Sequence, residues 1–331
     1  MKEFFHGAYD VVHRDGAWIP TRFTTSQLSS LEALHLMYER FGRCAAGVSL
    51  ALITSALEIG FSWTLSGLYT RTGGFDVYEN GVLVHTEPLP PEPASGRFTY
   101  RKESPGDTLL EIFLPAYAAC ALSVPSFGDA KPLSEDGKPF YLFYGDSITQ
   151  SAYTPTPSLS FPTLVSRMAG ARYINRGIGS LYFDESTLDP DDTCRPDVIF
   201  VEYGANDLVR RENREVVYID GQPQYYGMSD LPHLLGRADA YMAKLRAIYP
   251  YAKVYVLSTP WAANPVPEER HTVRESYREG IRALTAMHTF CYIDGRTLTP
   301  HLPSCRAEDG LHFNALGGVT AAQSLYSIVR S

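Results

Sequence analysis

The sequence has little that would hold a small secreted scaffold together. Its five cysteines (Cys44, Cys120, Cys194, Cys291 and Cys305) are odd in number and scattered over 331 residues, and none forms a C-x-x-C pair. That excludes a disulfide framework and a cysteine-rich zinc site. No run of Lys or Arg stands out, and 29 basic residues against 37 acidic ones leave a formal charge of −8. Such a balance argues against nucleic acid or an anionic membrane as partner. None of the nine histidines forms an H-x-x-x-H pair, and no Gly-Lys-Ser/Thr or G-x-S-x-G occurs. Zincin-type metal binding, P-loop phosphate binding and the α/β-hydrolase nucleophile elbow are therefore set aside, and neither a metal nor a cofactor is expected. The opening residues MKEFFHGAYD lack the apolar core of a signal peptide, which together with scattered thiols points to the cytoplasm.

One stretch approaches the length of a membrane span. Residues 44–66 carry a single charge, Glu58. Val48, Leu50 and Leu52 alternate with small residues, however, and Leu57, Ile59, Phe61 and Trp63 alternate again after a polar break. Period two predicts a pair of adjacent β-strands, each with one buried face.

What remains is an ordinary globular composition, 44% hydrophobic and 20% charged, at a length that suggests two domains. Residues 1–135 read as mostly β. Asn80-Gly81 between the apolar runs 75–78 and 82–85 signals a hairpin, a Pro-rich loop covers 87–93, and runs at 98–101 and 109–114 follow. Short strands at this spacing predict a sandwich or jelly roll. After the polar connector 131–139, residues 136–331 alternate strands (141–144, 173–175, 198–203, 253–258, 290–293) with helices (160–168, 231–248, 267–287, 315–329). That rhythm predicts right-handed β-α-β units, a mostly parallel sheet covered on both faces, and ligands beyond the C-terminal strand ends. A Val/Tyr-rich hairpin insertion around Asp220-Gly221 is expected to cover the cleft.

Four motifs fall at those strand ends. Gly145-Asp146-Ser147 puts a hydroxyl where a strand enters a helix, a place for a nucleophile or equally for an N-cap. Asp309-Gly310-Leu311-His312 spaces a carboxylate to orient an imidazole, although Asp-Gly is also an ordinary turn. Gly204-Ala205-Asn206 offers an amide donor, and Gly177-Ile178-Gly179-Ser180 offers backbone N–H groups. Nucleophile, base, orienter and oxyanion donors are the parts that acyl transfer needs.

YGDSITQS, NRGIGS, GAND and DGLH, in this order, resemble the four sequence blocks of the SGNH (GDSL-type) hydrolases over 140–331. The resemblance implies a three-layer α/β/α, flavodoxin-like fold. It implies Ser147 as nucleophile, His312 as general base and Asp309 as its partner. The oxyanion hole would combine the Ser147 N–H, a second-block N–H and Asn206. The family carries Gly where this chain has Ser180, so Ser180 is named with Gly179 as its substitute. Residues 1–135, with Gly74-Phe75-Asp76-Val77-Tyr78, are similar to the β-sandwich preceding some carbohydrate-esterase-like members. Asp146 and Trp261 are candidates for the substrate pocket.

The expected function is a serine esterase acting on small acyl esters, acetylated sugars or oligosaccharides first, as a possible homo-oligomer. A lipase, thioesterase or acyltransferase with the same triad is the alternative. An inactive glycan-binding protein is a third reading, opposed by the complete Ser147–His312–Asp309 set.

Overall fold

Two kinds of alternation shape the chain. A computed structural model describes residues 1–67, 74–89, 95–208, 216–219, 222–225, 230–264 and 268–330. In the first 135 residues, strands Phe5–His6, Ser49–Thr54, Thr108–Phe113, Gly74–Glu79 and Val82–Pro88 pair in that order into an antiparallel sheet, with Lys131–Pro132 joined to Ser49–Thr54. Strands Asp10–Arg14, Ala17–Thr21, Ala119–Ser126, Glu58–Ser66 and Ser95–Arg101 form a second antiparallel sheet. Every other residue of Glu58–Ser66 (Ile59, Phe61, Trp63, Leu65) enters one apolar cluster. Leu50 and Leu52, Phe75 and Val77, and Leu110 and Ile112 of the other sheet enter the same cluster. Period two thus buries one face of each strand against the opposite sheet.

Residues 44–66 hold the two strands Ser49–Thr54 and Glu58–Ser66, and no helix among the described residues is long and apolar enough to cross a membrane. The two strands of this stretch are not partners, because Ser49–Thr54 and Glu58–Ser66 lie in different sheets. The hairpin at Asn80-Gly81 forms as expected, with φ of +49° and +87° at its tip. Residues 90–93 of the Pro-rich loop lie outside the described residues, as do Asp220 and Gly221 of the expected hairpin, whose strands Val216–Ile219 and Gln222–Tyr225 pair.

In the second half, strands Arg172–Gly177, Phe140–Gly145, Val198–Glu202, Lys253–Leu257 and Cys291–Ile293 form one parallel sheet in that spatial order. Numbered along the chain, this is the 2-1-3-4-5 order of flavodoxin-like folds. Side chains leave it in strict alternation. Leu142, Tyr144, Ile199 and Val201 join a cluster with helix Leu231–Ile248, whereas Phe143, Val198, Phe200 and Tyr255 join another with helices Phe161–Ala169 and Ala315–Arg330. The helix starts follow the sequence: Ser160 and Asp230 accept the N–H of Thr163 and His233, each with Pro in the first turn.

Two helices, Thr25–Leu34 and Leu36–Gly42, interrupt the stretch read as mostly β. Thr24 and Gln27 make a reciprocal capping box at the first. Phe23, Leu28, Leu31 and Tyr38 share the core of the parallel sheet rather than that of the antiparallel pair.

Arg22 fastens this segment. It is 1% exposed, and its guanidinium donates to the carbonyls of Cys44 (2.6 Å), Phe41 (2.8 Å), Gly177 (3.1 Å) and Asn175. Burial lowers its pKa to about 10, and no carboxylate among the described residues pairs with it. Arg176, also fully buried, donates back to the Arg22 carbonyl and pairs with Asp192. A second clasp uses the Gly74–Tyr78 motif: buried Asp76 accepts from Ser158 N (3.0 Å) and Oγ (2.5 Å), and Tyr78 donates to Ser158.

Arg22→Met would keep the apolar stem and leave four carbonyls without their donor, at about 1–3 kcal/mol for each buried group left unmatched. We expect a loss of at least about 3 kcal/mol in chemical denaturation; a wild-type midpoint would refute this role.

Candidate active site

The register of the parallel sheet sets the site. Gly145 lies level with Gly177 on one neighbour and with Glu202 on the other, so residues 146–147, 178–180 and 203–206 leave the sheet at one edge. Both glycines are required by close approach. A Cβ on Gly145 would meet Thr149 Oγ1 at 2.1 Å, and one on Gly177 would meet the Gln150 N at 2.3 Å. Without side chains there, the short helix Ser147–Gln150 sits directly against the strand ends.

Ser147 is the first residue of that helix, so its N–H has no intrahelical acceptor. Its Oγ lies 2.7 Å from His312 Nε2. His312 Nδ1 is hydrogen-bonded to Asp309 Oδ2, while Asp309 Oδ1 accepts the N–H of Leu311 (3.0 Å) and of His312 (3.1 Å). Burial would raise the Asp309 pKa, but its bond to His312 and these N–H donors outweigh it and bring it down to about 2. The carboxylate is therefore ionised, and it holds the imidazole with Nε2 facing the serine. Gly310, at φ +72°, turns the loop, and Asn264 Nδ2 clamps it by donating to the Asp309 carbonyl at 2.6 Å.

The oxyanion candidates separate. Gly179 is corrected: its N–H donates to Gln150 Oε1 at 2.7 Å and is spent there. Ser180 adopts φ +63°, the left-handed conformation a glycine would take, and its N–H has no acceptor among the described residues. Tyr38 donates to the Ser180 carbonyl (3.2 Å), and Phe41 packs where a Gly179 side chain would stand. Helix Leu36–Gly42 thus braces this turn. Asn206 Nδ2 donates to both Asp146 Oδ2 (3.1 Å) and the Leu181 carbonyl (2.9 Å), so both its hydrogens are engaged in the resting site.

Asp146 is a second correction. It is fully buried rather than part of a substrate pocket, capping the nucleophile helix through Ile148 N at 2.8 Å and holding Asn206. Beneath it lies buried Glu202, whose Oε2 accepts from Thr149 at 3.0 Å. Burial, then the charge of Glu202, hold the Asp146 pKa well above the carboxylate range. Burial raises Glu202 to about 7 despite its bond to Thr149. Two carboxyls in one dry site cannot both ionise cheaply.

Comparison with known proteins matches residues 143–318, more than half the chain, to the GDSL-like lipase/acylhydrolase family. The chain belongs to that family. It is an ester-bond hydrolase of GDSL type. Three solved structures resemble it along most of its length. A salicylyl-acyltransferase, SsfX3, from a tetracycline biosynthetic pathway is 20% identical with a TM-score of 0.75, covering 97% of this chain and 92% of its own. A GDSL-like lipase from Bacteroides ovatus is 15% identical with a TM-score of 0.74, covering 98% and 94%. A family two carbohydrate esterase from Clostridium thermocellum, in complex with cellohexaose, is 14% identical with a TM-score of 0.65, covering 87% and 93%. Curated proteins gave no sequence match.

In this GDSL hydrolase, the lining of a cavity of about 640 Å³ includes Ala205 and Leu311, the chain neighbours of Asn206 and His312. Trp261 lines it too. Sequence reasoning missed Tyr153, half exposed at φ +63° with its ring 4.9 Å from that of His312, and the bracing Gln150, Tyr38 and Asn264. Only the Thr24–Gln27 spacing signalled the helices that carry the brace. Among the described residues no group of three or more His, Cys, Asp or Glu is arranged to hold a metal ion.

Two outcomes are expected. Ser180→Gly removes a left-handed strain of about 1–2 kcal/mol against a glycine entropy cost of about 1 kcal/mol, so stability should hold or rise and ester turnover should stay within about twofold. Ser180→Val should lower turnover at least about tenfold, because a β-branched residue leaves this φ; equal turnover of both variants would refute the requirement. For Glu202, a raised carboxyl pKa stabilises the fold fully below about pH 4.5, and that contribution fades as pH rises through about 7. The stability difference between Glu202→Gln and wild type should therefore grow in favour of the variant between about pH 5 and 8, by up to about 3 kcal/mol. A pH-independent difference in melting curves would contradict this.

Proposed function

We propose that this protein is a serine esterase that removes small acyl groups, acetyl first among them, from sugars or oligosaccharides. The single observation behind the chemistry is the unbroken Ser147–His312–Asp309 hydrogen-bond chain at the C-terminal edge of the sheet. Ser147 Oγ attacks the ester carbonyl as His312 Nε2 takes its proton. The oxyanion is held by the N–H groups of Ser147 and Ser180. Asn206 adds a third donor by yielding one hydrogen from Asp146 or Leu181 once negative charge develops. His312 then protonates the leaving alcohol. Water, deprotonated by His312, splits the acyl-enzyme and restores Ser147.

The carbohydrate reading draws on the family two carbohydrate esterase with cellohexaose and on an acetyl xylan esterase from Butyrivibrio proteoclasticus, both similar to this chain in fold. We further read residues 1–135 as a jelly-roll-like β-sandwich and 136–331 as the catalytic unit, with the helices at 25–42 leaning on the latter. One core shared by the two antiparallel sheets supports that reading. Acyl transfer to an alcohol other than water is the second reading, favoured by the breadth of the match to the salicylyl-acyltransferase.

Hydrolysis of p-nitrophenyl acetate, butyrate and octanoate tests the proposal. Acetate should be preferred, Ser147→Ala should abolish turnover, and Asn206→Ala should lower it about 100- to 1000-fold. A rate increase on adding alcohols, with ester products, would select the transferase reading. Equal rates for wild type and Ser147→Ala would end the serine mechanism.

A further inference from the structure

The segment that closes the nucleophile helix enters the left-handed region twice, at Ser151 (φ +82°) and at Tyr153 (φ +63°). For a bulky ring that conformation is uncommon and strained. The helix end imposes the path. Ala152 N donates to the carbonyl of Ser147 itself at 2.8 Å, and Ser151 N to that of Ile148 at 3.3 Å. Ala152 is packed in a small cluster with Ala46, Ala116 and Tyr117. Between buried Ala152 and Thr154, the Tyr153 side chain alone stands out.

What that side chain meets is the general base. The rings of Tyr153 and His312 lie 4.9 Å apart with their planes 32° from parallel. A ring that only braced the site would have no need of solvent. Tyr38, which braces the Ser180 turn, is 3% exposed, whereas Tyr153 is 49% exposed. The outcome of an unfavourable backbone conformation is thus an open aromatic face beside His312.

That position decides which half of an ester it can meet. His312 Nε2 gives its proton to the leaving oxygen, which must come within about 3 Å of it. The group bonded to that oxygen then lies against the surface bordering the imidazole, and Tyr153 is an exposed ring on that border. A flexible chain gains little from a flat platform. A saturated ring presents a flat face of weakly positive C–H bonds, which suits the negative face of a tyrosine.

We propose that the open face of Tyr153 is the seat of the leaving alcohol and selects an alcohol that is itself a ring, such as a pyranose. The inference rests on the serine-esterase reading, in which His312 protonates the leaving group, and adds to it the residue that recognises the alcohol.

Cyclohexyl acetate and pentan-3-yl acetate, esters of achiral secondary alcohols that differ in ring closure, test it with the full-length enzyme. The cyclic ester should lead by at least about threefold in kcat/KM, through a lower KM, as one aromatic platform would give. Tyr153→Gly and Tyr153→Asn remove the ring, and both residues suit a left-handed φ, so these variants should fold. In each, the ratio between the two esters should fall to near unity; in Tyr153→Phe it should persist. A residue that merely held His312 in place would, once replaced, slow both esters together and leave their ratio unchanged. No preference in wild type overturns the proposal. So does a preference that survives in either ringless variant, or one that is lost in Tyr153→Phe. Hydrolysis by Ser147→Ala as fast as by wild type removes the serine reading itself, an outcome distinct from any of these.

Discussion

One buried guanidinium holds the two halves of this protein in register. Arg22 has no carboxylate partner among the described residues and instead gathers four backbone carbonyls, two of them from the strand that runs into the Ser180 turn. A charge taken out of water is tolerated only when every donor is satisfied. The arrangement is therefore all or nothing: the chain segments on both sides of Arg22 must be in place together. Arg176 repeats the logic from the opposite strand face, donating to the Arg22 carbonyl while neutralised by Asp192. The first 42 residues thus help to build the active-site edge.

The site itself separates its charges by environment. Asp309 keeps two N–H donors and an imidazole and stays ionised, whereas Asp146, a few ångströms of chain from the nucleophile, is desolvated beside a second carboxyl and resists ionisation. A neutral Asp146 can cap the nucleophile helix and hold Asn206 without adding negative charge where an oxyanion must form. Two aspartates within one family signature perform opposite electrostatic tasks.

The catalytic half was legible in the sequence because each of its elements carries its own signal. Long apolar periods fixed the helices 231–248 and 315–329, and the first three motifs fell at strand ends that the parallel topology sends to one edge. Period two in the first half gave faces but no partners, so strands 49–54 and 58–66 read as neighbours although they lie in opposite sheets. Helices 25–34 and 36–42 were hidden by weak periodicity inside a β-rich context. Gly179 and Ser180 could not be told apart, since which N–H is free depends on a glutamine 29 residues away. Burial of Asp146 is likewise a tertiary fact. A side chain at a strand end can face solvent or the layer beneath it, and spacing is the same for both.

His312 is 165 residues from Ser147, and the helix that follows it packs against Phe161–Ala169. During synthesis, once the chain up to residue 300 has left the ribosomal tunnel, all five strands of the parallel sheet are available to form and display the serine while His312 is still inside the tunnel. Ester-cleaving power thus arrives last, after the scaffold that confines it, and a growing chain never exposes an activated hydroxyl before its cleft exists.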